Sequence, residues 1–134
     1  VVDGAEYLGN FTIASSNADV SSVKASTSAQ IGYKFTPELK TLPIDAAVPG
    51  GPLTGQPRKI TRVILDLEDT LSVSVNGTDL ILRTVQQDQS QAISAVTGKR
   101  EFRVLGYDKD PRVTVTQSAP LALQINGLIA EVAF

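Results

Sequence analysis

The sequence predicts an all-β domain: an antiparallel β-sandwich of Greek-key or jelly-roll type with about eight or nine short strands. Apolar and polar residues alternate over short runs in most of the chain. Turn signals rich in glycine, proline and asparagine separate these runs, with the spacing of a sandwich or barrel. No helix-length stretch shows the 3.6-residue periodicity of an amphipathic helix.

Composition limits the classes of function. The 134 residues suit one domain (1–134) that buries a core large enough to need no cross-links. Cysteine and histidine are both absent, so disulfides and the usual ligands of zinc, copper and iron are excluded. The net charge of -2 argues against a global basic field for nucleic acid, although local contact with DNA stays open.

The sequence gives no signal for a membrane span or a targeting segment. No run approaches the roughly eighteen apolar residues that a spanning helix needs. The chain contains no methionine, and we interpret it as a piece of a longer protein.

The first third predicts three extended segments. Ala5–Ala14 reads as a strand kinked at Gly9-Asn10, and Ser15–Ser28 as a polar loop with at most a short edge strand. Ala29–Phe35 reads as a strand with Ile31, Tyr33 and Phe35 on one face, followed by a short extended piece at Glu38–Leu42.

A long connection follows these segments. Ile44–Pro57 is rich in glycine and proline, and we expect it to hold no regular element of useful length. A loop of this length is either functional or mobile, and such loops are natural docking elements.

The middle of the chain predicts a central strand and a hairpin. In Arg58–Leu67 the pattern places Val63, Leu65 and Leu67 on one face, and Arg58, Ile60, Arg62, Ile64 and Asp66 on the other. Leu71–Val75 and Thr78–Arg83 flank Asn76-Gly77, the signal for a type I′ turn. Gln86–Gln91 reads as a polar loop, and Ala92–Val96 is ambiguous between strand and helical turn.

The last third predicts four more strands. They are Arg100–Leu105, Arg112–Thr116, Leu121–Ile125 and Leu128–Phe134, with turns at Gly106–Pro111 and Asn126-Gly127.

Two acidic groups are candidates for chemistry. Asp66, Glu68 and Asp69 contain the carboxylates that a glycosidase or a calcium or magnesium site needs. A solvated strand end is the favoured interpretation of these three residues.

Asp108-Lys109-Asp110 lacks the glycine and distal glutamate of a calcium loop and reads as a turn. Gly98-Lys99 lacks the upstream glycine of a phosphate-binding loop.

Basic residues form a further candidate surface. A stripe that meets phosphates or an acidic neighbour is one interpretation, and ordinary strand-surface charge that protects edges is the favoured one. The residues are Arg58, Lys59, Arg62, Lys99, Arg100, Arg103 and Arg112, with Arg103 and Arg112 on one face if their strands pair.

Four segments in order resemble the C-terminal region of the tail nozzle proteins of short-tailed bacteriophages, the tail tubular protein B type, and related virion proteins. The segments are Val1-Val2-Asp3-Gly4, Ile31-Gly32-Tyr33-Lys34-Phe35-Thr36-Pro37-Glu38-Leu39-Lys40-Thr41-Leu42-Pro43, Lys59-Ile60-Thr61-Arg62-Val63 and Asp110-Pro111-Arg112-Val113-Thr114-Val115-Thr116-Gln117-Ser118-Ala119-Pro120-Leu121-Ala122-Leu123-Gln124-Ile125-Asn126-Gly127-Leu128-Ile129-Ala130-Glu131-Val132. The resemblance covers roughly residues 1–71 and 98–134.

The resemblance implies a structural protein of the virion tail, assembled in the host cytoplasm. In that family a homohexameric ring continues the DNA-ejection channel, so the implied partners are copies of the chain, other tail proteins such as adaptor and fibres, and DNA in passage. It implies no catalytic, cofactor or metal residues. Family members are several times longer, so the chain would be a C-terminal domain.

Two other functions stay open on the sequence alone. A monomeric adhesion or carbohydrate-binding module would use stacked aromatics, for which the chain offers Tyr7, Tyr33 and Tyr107 but no tryptophan. A glycosidase using Asp66 and Glu68 is the weakest alternative. A cleft that joins Tyr33 or Tyr107 to the acidic cluster would favour these alternatives.

Overall fold

A computed structural model describes residues 2–3, 6–12, 29–44, 47–48, 51–52, 56–83, 93–104 and 106–133. Within these residues the chain forms eleven strands and no helix, which confirms the predicted all-β class. The strands are β1 (Val2–Asp3), β2 (Glu6–Tyr7), β3 (Glu38–Lys40), β4 (Ala47–Val48), β5 (Gly51–Pro52), β6 (Lys59–Thr70), β7 (Ser74–Val75), β8 (Thr78–Asp79), β9 (Val96–Arg103), β10 (Thr114–Thr116) and β11 (Gln124–Ala133).

Two antiparallel sheets form the body of the protein. One has the strand order β3-β10-β7-β8 and the other β11-β6-β9, and the hairpins β1-β2 and β4-β5 stand apart. Strands that follow one another from β6 onward lie in different sheets, except for the β7-β8 pair. Buried side chains from both sheets belong to one apolar cluster, as in a β-sandwich.

Strand β6 supplies most of the core from the three-stranded sheet. Ile60, Val63, Leu65 and Leu67 are all buried, although the simple alternation places Ile60 on the other face. The pairing explains the difference, because β11 residue Glu131 faces Arg62 while the next residue, Val132, faces Ile60. One extra residue in β6 forms a bulge here and returns Ile60 to the core face.

The four-stranded sheet provides the opposite wall of the core. Val75 of β7 and Val115 of β10 are paired neighbours, and both are buried. Val73 and Val113 extend this wall just outside the strands, and Phe102 of β9 closes the cluster. Each such side chain contributes roughly 1.5–3 kcal/mol when it leaves water, so this cluster is the main stabilising feature of the fold.

The predicted hairpin at Asn76-Gly77 is confirmed, in a shorter form. Strands β7 and β8 pair antiparallel across these two residues, with φ angles of 47° and 80°. Positive φ at both positions is the geometry of a type I′ turn. Asn76 also accepts a hydrogen bond from the amide of Thr114 at 2.7 Å through its side-chain oxygen, which fixes the hairpin to β10.

The predicted turn at Asn126-Gly127 is wrong. Strand β11 runs without reversal through both residues and pairs with β6 on either side of them. The register shifts between Ile125 and Gly127, so Asn126 is the extra residue of a bulge. The twelve-residue strand β6 offers a continuous partner, and pairing along its length prevails over the local turn preference.

The predicted strand at Ala29–Phe35 is also wrong. Residues 31–37 belong to no strand, and the strand that follows them is β3 at Glu38–Lys40. In the Ile44–Pro57 connection, the described residues form one minimal hairpin, β4 with β5, of two residue pairs. The predictions for Ser15–Ser28 and Gln86–Gln91 lie outside the described residues.

The turn at Gly106–Pro111 connects two sheets rather than two paired strands. Strand β9 precedes it in the three-stranded sheet, and β10 follows it in the four-stranded sheet. No helix in the described part of the chain is long and apolar enough to cross a membrane.

Candidate functional site

Residues of the acidic cluster (Asp66, Glu68 and Asp69) form hydrogen bonds or sheet pairs with residues of the neighbouring strands. The Glu68 carboxylate accepts hydrogen bonds from the side-chain amides of Gln124 at 2.8 Å and Asn126 at 3.0 Å. The backbone amide of Asp69, a residue with a φ of 42°, donates a hydrogen bond to the Thr97 hydroxyl oxygen at 3.2 Å. Asp66 lies between Lys99 and Gly127 in the sheet register. These contacts bind β6 to its two neighbours.

The Asp108-Lys109-Asp110 segment serves the turn. The Asp108 carboxylate accepts a hydrogen bond from the Asp110 amide at 3.1 Å. Across the described residues, no group of three or more acidic side chains is placed to hold a metal ion.

The basic residues do not form one stripe. Arg103 is in β9, while Arg112 precedes β10 in the other sheet, so the pairing that would align them does not occur. Arg62 lies between Glu131 of β11, to which its Nε donates a hydrogen bond, and Glu101 of β9, 3.5 Å away. The bond to Glu131 and the charges of both carboxylates raise the pKa of Arg62 above its ordinary value.

Arg58 is buried, contrary to the expectation of a surface cation. Its guanidinium donates to the carbonyl oxygens of Ile44 at 2.6 Å and Lys109 at 2.9 Å. Its backbone pairs with Asp108 in both directions. Arg58 therefore joins three separate segments at one end of the sandwich. No pattern in the sequence distinguishes it from the exposed arginines, because its partners are backbone carbonyls.

Two of the three tyrosines line one cleft. Tyr7 and Tyr33 share a cleft of about 220 Å³ with Asn10, Gln30 and Lys34. The Tyr7 hydroxyl donates to the Asn10 side chain at 2.6 Å, and the Lys34 ammonium lies 5.4 Å from the centre of the Tyr7 ring. No member of the acidic cluster lines this cleft.

Tyr107 lies elsewhere. It lines a cleft of about 200 Å³ with Asn76, Asp108 and Arg112, and its ring centre is 5.5 Å from the Lys59 ammonium. Neither tyrosine cleft includes Asp66, Glu68 or Asp69, so the arrangement that would favour a glycosidase is not found in the described residues.

A strip of exposed apolar side chains precedes β3. Ile31 is 59% exposed, Tyr33 99% and Phe35 75%, and they alternate with Gly32 and Lys34. We call Ile31–Phe35 the exposed strip. Large exposed apolar groups that lie close together commonly mark sites of protein contact.

The two edges of the three-stranded sheet differ in charge. The β9 edge carries Lys99, Arg100, Glu101 and Arg103 within eight residues. The β11 edge, ten residues long, carries Glu131 alone. In the described part of the chain β11 pairs only with β6, so its outer backbone groups lack a strand partner there. Edges with many charges resist pairing with another chain, whereas a long edge with few charges invites it.

No known protein family matches this chain, and no curated protein matches it.

Proposed function

We propose that this protein is a structural component of a bacteriophage tail, a nozzle or tail-tube domain that assembles with copies of itself around the DNA-ejection channel. The resemblance of its sequence segments to tail nozzle proteins supports the phage assignment. The same proposal makes other tail proteins, such as adaptor and fibres, its further partners and places the chain in the virion after assembly in the host cytoplasm.

One structural observation supports assembly as the mode of action. The exposed strip presents three large apolar side chains to water. Two further apolar side chains, Leu42 and Ile81, are 82% and 80% exposed. Exposed apolar area on this scale is unfavourable in an isolated domain and becomes favourable when a partner covers it. A protein that acts by forming stable contacts needs such surfaces, and it needs no catalytic group.

The test is the mass of the protein in solution. Light scattering over a wide range of protein and salt concentration should show a species of several copies, and electron microscopy of that species should show rings. Antibodies raised against the domain should label the tail of the virion that carries it. A monomer at every concentration would contradict assembly through this domain.

The cleft between Tyr7 and Tyr33 favours a second candidate, a carbohydrate-binding module. Aromatic rings stack on sugar faces, and the amides of Asn10 and Gln30 line the same cleft and can bond hydroxyl groups. Titration with oligosaccharides should then shift the NMR signals of cleft residues. Tyr33→Ala should abolish the shift, while Tyr107→Ala, in the other cleft, should leave it unchanged.

A further inference from the structure

We propose that the exposed strip of one copy adds as a strand to the edge of β11 that has no strand partner in the described residues of a second copy. This inference rests on the proposed function, because it names the surfaces through which the chain assembles. Addition of an extended segment to an open sheet edge is a common mode of recognition, in which backbone hydrogen bonds provide affinity and alternate side chains provide specificity.

The acceptor is the β11 edge. Strand β11 contains neither lysine, arginine nor proline, the residues that most often protect an edge, whereas β9 at the opposite edge of the same sheet carries four charges. Ile129, on the outer face of β11, is 58% exposed. Among the described residues, the sheet therefore has a charged edge at β9 and, at β11, an edge with no strand partner.

The donor is the exposed strip. It belongs to no strand in the described residues, and its apolar side chains recur at every second position. A strand with this alternation places Ile31, Tyr33 and Phe35 on one face and Gly32 and Lys34 on the other. Such a segment has the pattern of a half-buried strand without the sheet that would bury it.

The faces of the two strands match. Along β11, Leu128, Ala130 and Val132 face the core side, opposite the core residues of β6. If the exposed strip pairs with β11 so that Tyr33 lies beside Ala130, then Ile31 and Phe35 lie on the same side as Tyr33. The three side chains then extend the apolar face of β11. The small Ala130 side chain leaves room for the tyrosine ring.

The charges match as well. Lys34 is the one charged residue of the exposed strip, and Glu131 is the one charged residue of β11. In the register above both lie on the outer face, directly opposite or diagonal, which is within reach of a lysine side chain. Lys34 would exchange its contact with the Tyr7 ring for the Glu131 carboxylate, which Arg62 already holds in place.

The contact joins two different surfaces of the chain. Such a head-to-tail interface repeats from copy to copy and closes into a ring when the rotation permits. Pairing of β11 with β11 of a second copy would instead give a closed two-fold dimer. The two arrangements differ in whether Lys34 takes part.

Charge reversal tests the pairing. Lys34→Glu and Glu131→Lys should each raise the protein concentration at which half of the chains are assembled by about tenfold or more, because like charges then face each other. The double variant should restore assembly. Glu101→Lys is the matched control, since Glu101 also contacts Arg62 but lies on the β9 edge, and it should leave the midpoint unchanged.

Three results would overturn the inference. Assembly that neither reversal weakens would reject both surfaces while leaving the proposed function standing. Assembly that Glu131→Lys weakens and Lys34→Glu does not would indicate another partner for β11, including β11 itself. A wild-type chain that is monomeric at every concentration would reject the inference together with assembly through this domain.

A cross-link tests the same contact in the unmodified sequence. A zero-length carbodiimide reagent joins lysine amines to carboxylates in contact. In a mixture of ¹⁴N- and ¹⁵N-labelled chains, mass spectrometry should find Lys34 linked to Glu131 with one peptide of each label. A link in which both peptides always carry the same label, or the lack of this link in assembled protein, would contradict the pairing.

Discussion

The Arg58 side chain donates a hydrogen bond of 2.6 Å to the carbonyl oxygen of Ile44, fourteen residues earlier in the chain. The same guanidinium reaches Lys109, 51 residues later, at 2.9 Å. Arginine has five donors in a fixed plane, so one buried side chain can satisfy carbonyls of several segments. Arg58 thus fixes the start of β6 to both neighbouring connections.

Loss of this side chain should destabilise the domain. In Arg58→Met the carbonyls of Ile44 and Lys109 lose their buried donor, and we expect the free energy of unfolding to fall by about 2–4 kcal/mol. Urea denaturation followed by circular dichroism measures the change. Arg103→Met, at an exposed position of β9, should change it by less than about 0.5 kcal/mol. Equal effects of the two substitutions would show that the Arg58 contacts add nothing.

The hydroxyl of Thr70 should matter as much as its volume. Thr70 is fully buried. Its hydroxyl donates a hydrogen bond to the carbonyl oxygen of Glu68 at 3.0 Å and accepts one from the backbone amide of Gln124 at 3.2 Å. Thr70→Val keeps the shape but removes these bonds, so we expect a loss of about 1–3 kcal/mol in unfolding free energy. Thr78→Val, exposed in β8, is the control for the change of residue type. A neutral Thr70→Val would contradict this account of the β6–β11 junction.

The hairpin turn should tolerate little at Gly77. Its φ of 80° is costly for any residue with a Cβ, although no neighbouring atom would meet that Cβ within 4 Å. Gly77→Ala should therefore lower the unfolding free energy by about 1–2 kcal/mol through backbone strain alone. Gly32→Ala also has open space but no positive φ, and it should be near neutral. Comparable losses at both glycines would point to a cause other than φ.

The Arg62–Glu131 pair should respond to salt and not to moderate changes in pH. A guanidinium whose pKa is raised on folding adds stability that is complete below its ordinary pKa and is lost only as the pH rises above that strongly basic range. Between about pH 6 and pH 9 the difference in urea midpoint between wild type and Arg62→Gln should stay constant. Added salt should reduce that difference, since the pair is exposed to solvent. A difference that grows with pH would contradict this assignment.

The sequence by itself determined the all-β class, the type I′ hairpin and the identity of the strongest core strand. These features are local: alternation follows from the two-residue period of a strand, and Asn76-Gly77 adopts positive φ more readily than other pairs. The position of the acidic cluster at a strand end and the role of Asp108 in a turn are also local, because they depend on residue types near one another in the chain.

Only the tertiary structure decided which face Ile60 takes, whether Asn126-Gly127 turns, and what Arg58 contacts. A single-residue bulge reverses the alternation at Ile60, and it is defined by the partner strand. Pairing along the whole of β6 keeps β11 extended through Asn126, despite a local preference for a turn. The exposure of Ile31, Tyr33 and Phe35 likewise depends on which segments pair, because alternation predicts a face to be buried but does not supply the surface that buries it.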